Sequence, residues 1–379
     1  MQIATELFKS LVEKSIKGSG RLPQLTITSV VTLEVQDGRI TLTTTDGATN
    51  LVVSDNINTD ETFVAATDSD LLYKLVSKTT TNKITLSITD KELSFVGNGA
   101  YSLPLILDEE GNMAKIPQIL VQGEEYKCKM SELRKLTLYN KNSVLKDMTV
   151  PIYTGYCLKG GYGYTFCISG GCVTKLDIDE NVTALMRPQM VDLLDVFNTD
   201  EELTVCTTDK SMKIQGKVCT IYSTLLDGIN EYATQKLKSL ITDKEQFKNK
   251  LAVNKVTVSN ALDRLSLFIL PEEANAVMFN VSVTNKTLSL MTKNSAGAEV
   301  INIEDTSELV EDVSRYIDYK DLKTLVDSVK TDNVIIRYNT DESLCIQSDG
   351  ANMFTTYLED SETDDEQLEM FEDEESLSE

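Results

Sequence analysis

Three stretches decide the fold: KITLSITDKELSF (83–95), ELTVCTTDKSMKI (202–214) and NVIIRYNTDESLCI (333–346). In each, apolar and polar residues alternate, run into Thr-Asp with one or two further polar residues, and alternate again. That pattern is a β-hairpin, with turns at Thr89-Asp90, Thr208-Asp209 and Thr340-Asp341. A period of two buries one sheet face and wets the other. Recurrence every 120–130 residues or so marks an internal repeat.

Working outward, each hairpin is preceded by a stretch with helical spacing: DSDLLYKLVSK (68–78), RPQMVDLLDVF (187–197) and DYKDLKTLVDSVK (318–330). Leu71, Leu72, Leu75 and Val76 make the apolar stripe of the first, Val191, Leu194 and Phe197 that of the second, and Leu322, Leu325, Val326 and Val329 that of the third. Asp68 and Asp318 stand where an N-cap is wanted, and Pro188 suits a first helical turn. A second helix opens each copy: TELFKSLVEKSIK (5–17), KMSELRKLTL (129–138) and TVSNALDRLSLF (257–268). Between the helices lies a strand pair around a Gly-containing turn, at 37–53, 162–178 and 286–303. The chain is therefore predicted to be α+β: three tandem copies of a two-helix, antiparallel-sheet domain over 1–122, 123–246 and 247–358.

Composition narrows the chemistry. The 379 residues include no histidine, which excludes Ser-His and Cys-His nucleophile pairs and His-containing zinc sites. The carboxylates fall mostly in turns such as Asp37-Gly38 and Asp90-Lys91, and no phosphate-binding glycine loop or nucleophile elbow is present. No catalytic residue, metal site or cofactor is expected. The seven cysteines form no CxxC pair and read as reduced and mostly buried. With neither a membrane-length apolar run nor a signal-peptide core, the expected location is the cytoplasm.

The net charge of −24 is unevenly spread. Residues 359–379 hold twelve acids and no base, half of the excess, and are expected to form a disordered acidic tail. Yet this tail carries Leu368, Met370 and Phe371 within four residues.

The tripled order of elements resembles the bacterial DNA polymerase III beta-subunit sliding clamp, in a divergent form that suggests a phage-encoded member. RLPQLTITSVVTLEVQDGRITLTTTD (21–46), LLDGINEY (225–232) and NVIIRYNTDESLCI are similar to stretches of that family, with Asn230 in place of a proline. The resemblance implies a non-catalytic homodimer, closed head to tail into a six-domain ring around duplex DNA. It also implies a polymerase and a clamp loader as partners, with DNA held without sequence specificity.

A ring of this kind needs basic residues on the wet faces of its helices. The candidates are Lys9, Lys14, Lys17, Arg21, Lys74, Lys78, Arg134, Lys135, Lys141, Arg264, Lys320 and Lys323. By resemblance, Tyr101 and Leu103 meet Ile269 and Leu270 across the dimer interface, with burial in the core as the competing role. The family's client pocket corresponds to Tyr153, Ile168, Gly170, Gly171, Cys172, Val173, Ile229 and Tyr357, with I-S-G-G-C-V (168–173) replacing a turn that carries His and Arg. Gln367, Leu368, Glu369, Met370 and Phe371 resemble the short peptide by which partners enter that pocket, so the tail is expected to occupy it. The alternative is a repeat scaffold or viral structural protein that does not encircle DNA. It would have no ring closure and no inward basic face.

Overall fold

The computed structural model describes residues 1–145, 150–242, 246–270 and 275–358. The first repeat runs β1 (Gln2–Ala4), α1 (Thr5–Ser15), β2 (Val30–Gln36), β3 (Arg39–Thr45), β4 (Thr49–Asn56), β5 (Phe63–Asp68), α2 (Ser69–Ser77), β6 (Lys83–Ile88), β7 (Glu92–Val96) and β8 (Ala100–Pro104). The second runs β9 (Glu125–Lys129), α3 (Met130–Leu138), α4 (Pro151–Thr154), β10 (Tyr156–Lys159), β11 (Tyr162–Cys167), β12 (Gly170–Lys175), β13 (Ala184–Met186), α5 (Pro188–Asp192), β14 (Glu202–Thr207), β15 (Ser211–Gln215) and β16 (Cys219–Thr224). Helix α6 (Glu231–Thr242) precedes the third repeat. That repeat comprises β17 (Asn249–Asn254), α7 (Lys255–Leu265), β18 (Ala276–Ser282), β19 (Thr287–Thr292), β20 (Ala298–Asn302), β21 (Asp305–Glu308), β22 (Val313–Asp318), α8 (Tyr319–Ser328), β23 (Asn333–Tyr338), β24 (Ser343–Ser348) and β25 (Ala351–Thr356).

The repeat is exact enough to recur in single hydrogen bonds. The first helix of each copy starts with its N–H on the turn before β6, β14 or β23: Thr5 on Asn82, Met130 on Glu201, Lys255 on Asp332. After the last strand, Leu105, Leu225 and Tyr357 donate to the hairpin carbonyls of Lys91, Lys210 and Glu342. The next residues, Ile106, Leu226 and Leu358, donate to Ala66, Leu185 and Tyr316 on the edge strands β5, β13 and β22. Backbone groups left bare at a strand edge invite pairing with other chains, and this one segment covers an equivalent edge three times.

The contacts cluster into two units. The first takes in residues 1–138, 144–165 and 175–230, and the second 139–143, 166–174 and those from 231 onward. In the first, α1 packs on α2 and α3 on α5. Its sheets run β1-β6-β7-β8, β5-β2-β3-β4-β16-β15-β14-β9 and β13-β10-β11. Phe8, Leu11 and Val12 of α1 enter a core with Leu33, Leu42, Leu72 and Phe95. In the second, α7 packs on α8, with sheets β20-β19-β18-β22 and β12-β25-β24-β23-β17-β21. Phe279 and Tyr338 meet edge-on at 6.4 Å, and both are fully buried.

The expected caps form: Asp68 accepts from Leu71 N, and Asp318 from Lys320 N and Asp321 N. Three details depart from expectation. The helix over 187–197 is α-helical only to Asp192 and tightens to a 3-10 turn at Leu193–Val196. Helix α7 starts two residues early, on an Asn254 cap, and stops at Leu265. Helix α6 was not expected and lies just before the predicted limit of the second copy at 246.

Six cysteines are buried and Cys167 is half-buried. Burial pushes the thiols of Cys128 and Cys172 up to about 12 and that of Cys219 to about 11, with Cys345 also raised. Since the thiolate is the reactive form, alkylation at pH 8 is expected to label Cys128, Cys172, Cys219 and Cys345 at least 100-fold more slowly than in urea. Intact-mass spectrometry over time reads this directly.

Candidate nucleic-acid interface and sheet edges

The twelve basic candidates divide between the units: eight in the first, from Lys9 to Lys135, and Lys141, Arg264, Lys320 and Lys323 in the second. All are wholly or partly solvent-exposed. Several are already paired: Lys17 with Asp195 (2.9 Å), Arg21 with Asp70 (2.9 Å), Lys135 with Glu132 (3.0 Å) and Arg264 with Glu299 (2.6 Å). Lys323 bridges Asp263 of α7 and Asp327 of α8. Arg134 donates to Thr199 Oγ1, and Lys320 lies 5.9 Å from the Tyr319 ring. Among the described residues, Lys9, Lys14, Lys78 and Lys141 have no ion pair. Solvent-exposed pairs contribute little to stability, so a phosphate can replace a carboxylate at modest cost.

Arg21 is the most strictly placed. Its φ of +52° is in the left-handed region, uncommon outside glycine. The turn is pinned from beneath by buried Thr28, whose carbonyl accepts from Arg21 N and whose hydroxyl accepts from Leu22 N. The Arg21 guanidinium rests on Asp70, in the first turn of α2.

The pocket candidates behave differently from the expectation. Cys172 and Val173 are fully buried in β12, so they pack rather than receive a ligand. Gly170 and Gly171 serve the β12–β25 ladder. A Cβ on Gly170 would lie 2.1 Å from the Phe354 carbonyl oxygen. Tyr357 is buried and donates to the Asn339 carbonyl. Ile168 is 78% exposed, and Tyr153 is half-buried on α4. In the first unit, Ile229 lines a cleft of about 480 Å³ in which Leu185, Leu225 and Leu226 alternate with Glu124, Asp209 and Asp227, so it is mixed rather than apolar. Residues 367–371 lie outside the described residues.

The interface candidates split likewise. Leu103 is only 2% exposed and belongs to the core, because it stands opposite Leu93 on the inward face. Tyr101 and Leu270 are exposed, and Ile269 is half-exposed. Sequence reasoning missed Leu267, Phe268 and Val300, all exposed. The signal was legible as LSLFIL (265–270): too many large apolar residues for a helix whose stripe ends at Leu265. Glycine 297 lies against Leu265 and Phe268, so this apolar turn abuts the start of β20.

The sheets carry the decisive geometry. In the first unit β4 zips to β16, and in the second β12 zips to β25, both antiparallel. Strands β4, β12 and β20 follow the same course in their repeats, as do β8, β16 and β25. Among the described residues, β20 pairs only with β19 and β8 only with β7. Two such pairings are made, and among the described residues the remaining two strands, β8 in the first unit and β20 in the second, each have one open edge.

The chain resembles DNA polymerase III subunit beta from Pseudomonas aeruginosa, with a TM-score of 0.81 and 15% identity over 95% of this chain and 99% of that one. It is equally similar to the DNA polymerase sliding clamp from Bacillus subtilis, at 0.80 and 14% over 94% and 98%. The DNA polymerase III subunit beta from Borrelia burgdorferi, solved with a natural product, gives 0.80 and 15% over 95% and 99%. This is the sliding-clamp fold. No family model and no curated protein matches the sequence. The clamp fold is kept here at 13–15% identity because its determinants are strand alternation, caps and edge cover, which many sequences satisfy.

Proposed function

We propose that this protein is a DNA sliding clamp: two chains close head to tail around duplex DNA and tether a polymerase, without chemistry of their own. The observation that carries the reading is the pair of open edges, β8 and β20, in a chain whose equivalent edges are zipped together. A heterologous contact of this kind closes a ring when its rotation fits. Repeats 1–122, 123–246 and 247–358 would then form six similar arcs, with β20 of one chain pairing β8 of the next. Apolar Leu267, Phe268, Leu270 and Val300 would be covered on one side and Tyr101 on the other. The similar solved structures are named as DNA polymerase sliding clamps and DNA polymerase III beta subunits, which supports the reading. A closed ring cannot thread a molecule without ends, so a clamp loader is the expected second partner.

Retention on DNA tests this. The protein is expected to stay on nicked circular DNA through gel filtration and to slip off once the circle is cut. Equal loss from both forms would rule out encirclement. The basic residues give a second expectation. Each phosphate contact adds about 0.9 to the slope of log affinity against log salt. Arg21→Ala, present twice in a ring, should therefore lower that slope by about 2 without altering the stability of the fold.

A further inference from the structure

The three repeats differ on the outer face of their last hairpin. In the first, the outward pair is Ser94 opposite Ser102, and in the second Lys213 opposite Tyr222. In the third it is Cys345 opposite Phe354, only 2% and 4% exposed although they point away from the core of Leu344, Ile346 and Met353. Two elements without counterparts in the other repeats cover them. Phe247 stacks on Phe354 with ring centroids 5.7 Å apart, and the end of α6 supplies Leu240 and Ile241. Between α6 and the strands a groove of about 460 Å³ remains, lined by Leu240, Ile241, Phe247 and Cys345 together with polar Lys248, Glu308, Arg337, Gln347 and Asn352. That volume suits two or three large side chains.

We propose that this groove is the seat of the chain's own segment Gln367–Phe371. Three observations on the chain choose this occupant. Its start is close: Leu358 follows β25 directly, and Asn352, on the groove, lies six residues back along that strand, about 20 Å. Its reach is sufficient, because residues 359–366 extend to at most about 26–29 Å, which brings Gln367 to the groove mouth. Its chemistry fits: Leu368, Met370 and Phe371 are three of the four large apolar residues among 359–379 and have no use in a solubility tail. Charge adds little, since Glu308 and Glu311 already pair with Arg337 and Lys248. In this seat Leu368, Met370 and Phe371 meet half-exposed Leu240 and Ile241. A tether of this length gives an effective concentration on the order of millimolar, enough to fill the groove with a weak binder. The contact itself does not depend on the clamp reading. Its consequence does: a partner peptide using this groove must first displace the tail.

The test uses a fluorescein-labelled peptide of residues 363–379 and no DNA, so that its outcome is separate from ring closure. The chain lacking 359–379 is expected to bind the peptide at least ten-fold more tightly than the full chain. Phe371→Asp in the peptide should abolish binding. Ile241→Glu in the truncated chain should also abolish it, with circular dichroism and melting unchanged. Equal affinity for both chains, or binding that survives Phe371→Asp, overturns the proposal. So does binding that survives Ile241→Glu in a folded chain, because the peptide then sits elsewhere.

Discussion

Ile269→Asp with Leu270→Asp is expected to halve the particle, from twice 42.1 kDa to 42.1 kDa by light scattering. Leu270 is exposed and Ile269 half-exposed in the turn after α7, so the isolated chain loses little packing. In the closed seam each carboxylate would be stripped of water without a partner, a cost of several kcal/mol apiece. A ring has two seams, and the cost applies at both. Retention on circular DNA should fall with the mass, while the melting temperature of the monomer stays put. A variant that remains at the higher mass would show that β20 is not the closing edge.

Gly170→Ala is expected to be the most damaging small substitution in the second unit. Its Cβ would lie 2.1 Å from the Phe354 carbonyl oxygen and 3.1 Å from Thr355 Cα, both backbone atoms that cannot turn aside. Strand β12 must draw away from β25, breaking a five-pair ladder that nothing else in the sequence can replace. We expect a loss of about 3 kcal/mol, the upper range for one substitution, measured as a lower urea midpoint. Gly111→Ala is the control. Its φ of +83° strains an alanine, but no atom lies within 4 Å of the new Cβ, so about 1 kcal/mol should be lost. Equal losses at the two positions would mean that the close approach at β12 is relieved by a backbone shift.

What could be read from the sequence was what local rules determine. The three Thr-Asp turns, the caps at Asp68 and Asp318 and the stripe of α1 each follow from a period or from a side chain reaching its own backbone. Helix α6 has a legible stripe, Ala233, Leu237, Leu240 and Ile241 at helical spacing, and escaped because it belongs to no repeated position in the three copies. Strand β21, Asp305–Glu308, was illegible for a similar reason. It is polar, and it is a strand because β17 offers it an edge and Lys250 offers its acids a partner.

The site was legible in parts. Basic residues were correctly placed at the surface, since Lys and Arg rarely bury their charge. Whether an apolar residue faces core or solvent was not, because that depends on strand register. One place along β8 separates buried Leu103 from exposed Ser102, whereas β12 is covered on both faces, so that consecutive Cys172 and Val173 are both buried.

If two chains close through β8 and β20 as proposed, the unlike edges have a genetic consequence. A substitution could then silence one edge and spare the other, and such a chain would still capture a normal partner at its sound edge. The pair it forms is an arc with a gap, and a normal subunit is wasted in it. Lesions at a single end should therefore act dominantly, harming a cell that also makes the intact protein. Lesions in the core, which never reach assembly, should be recessive.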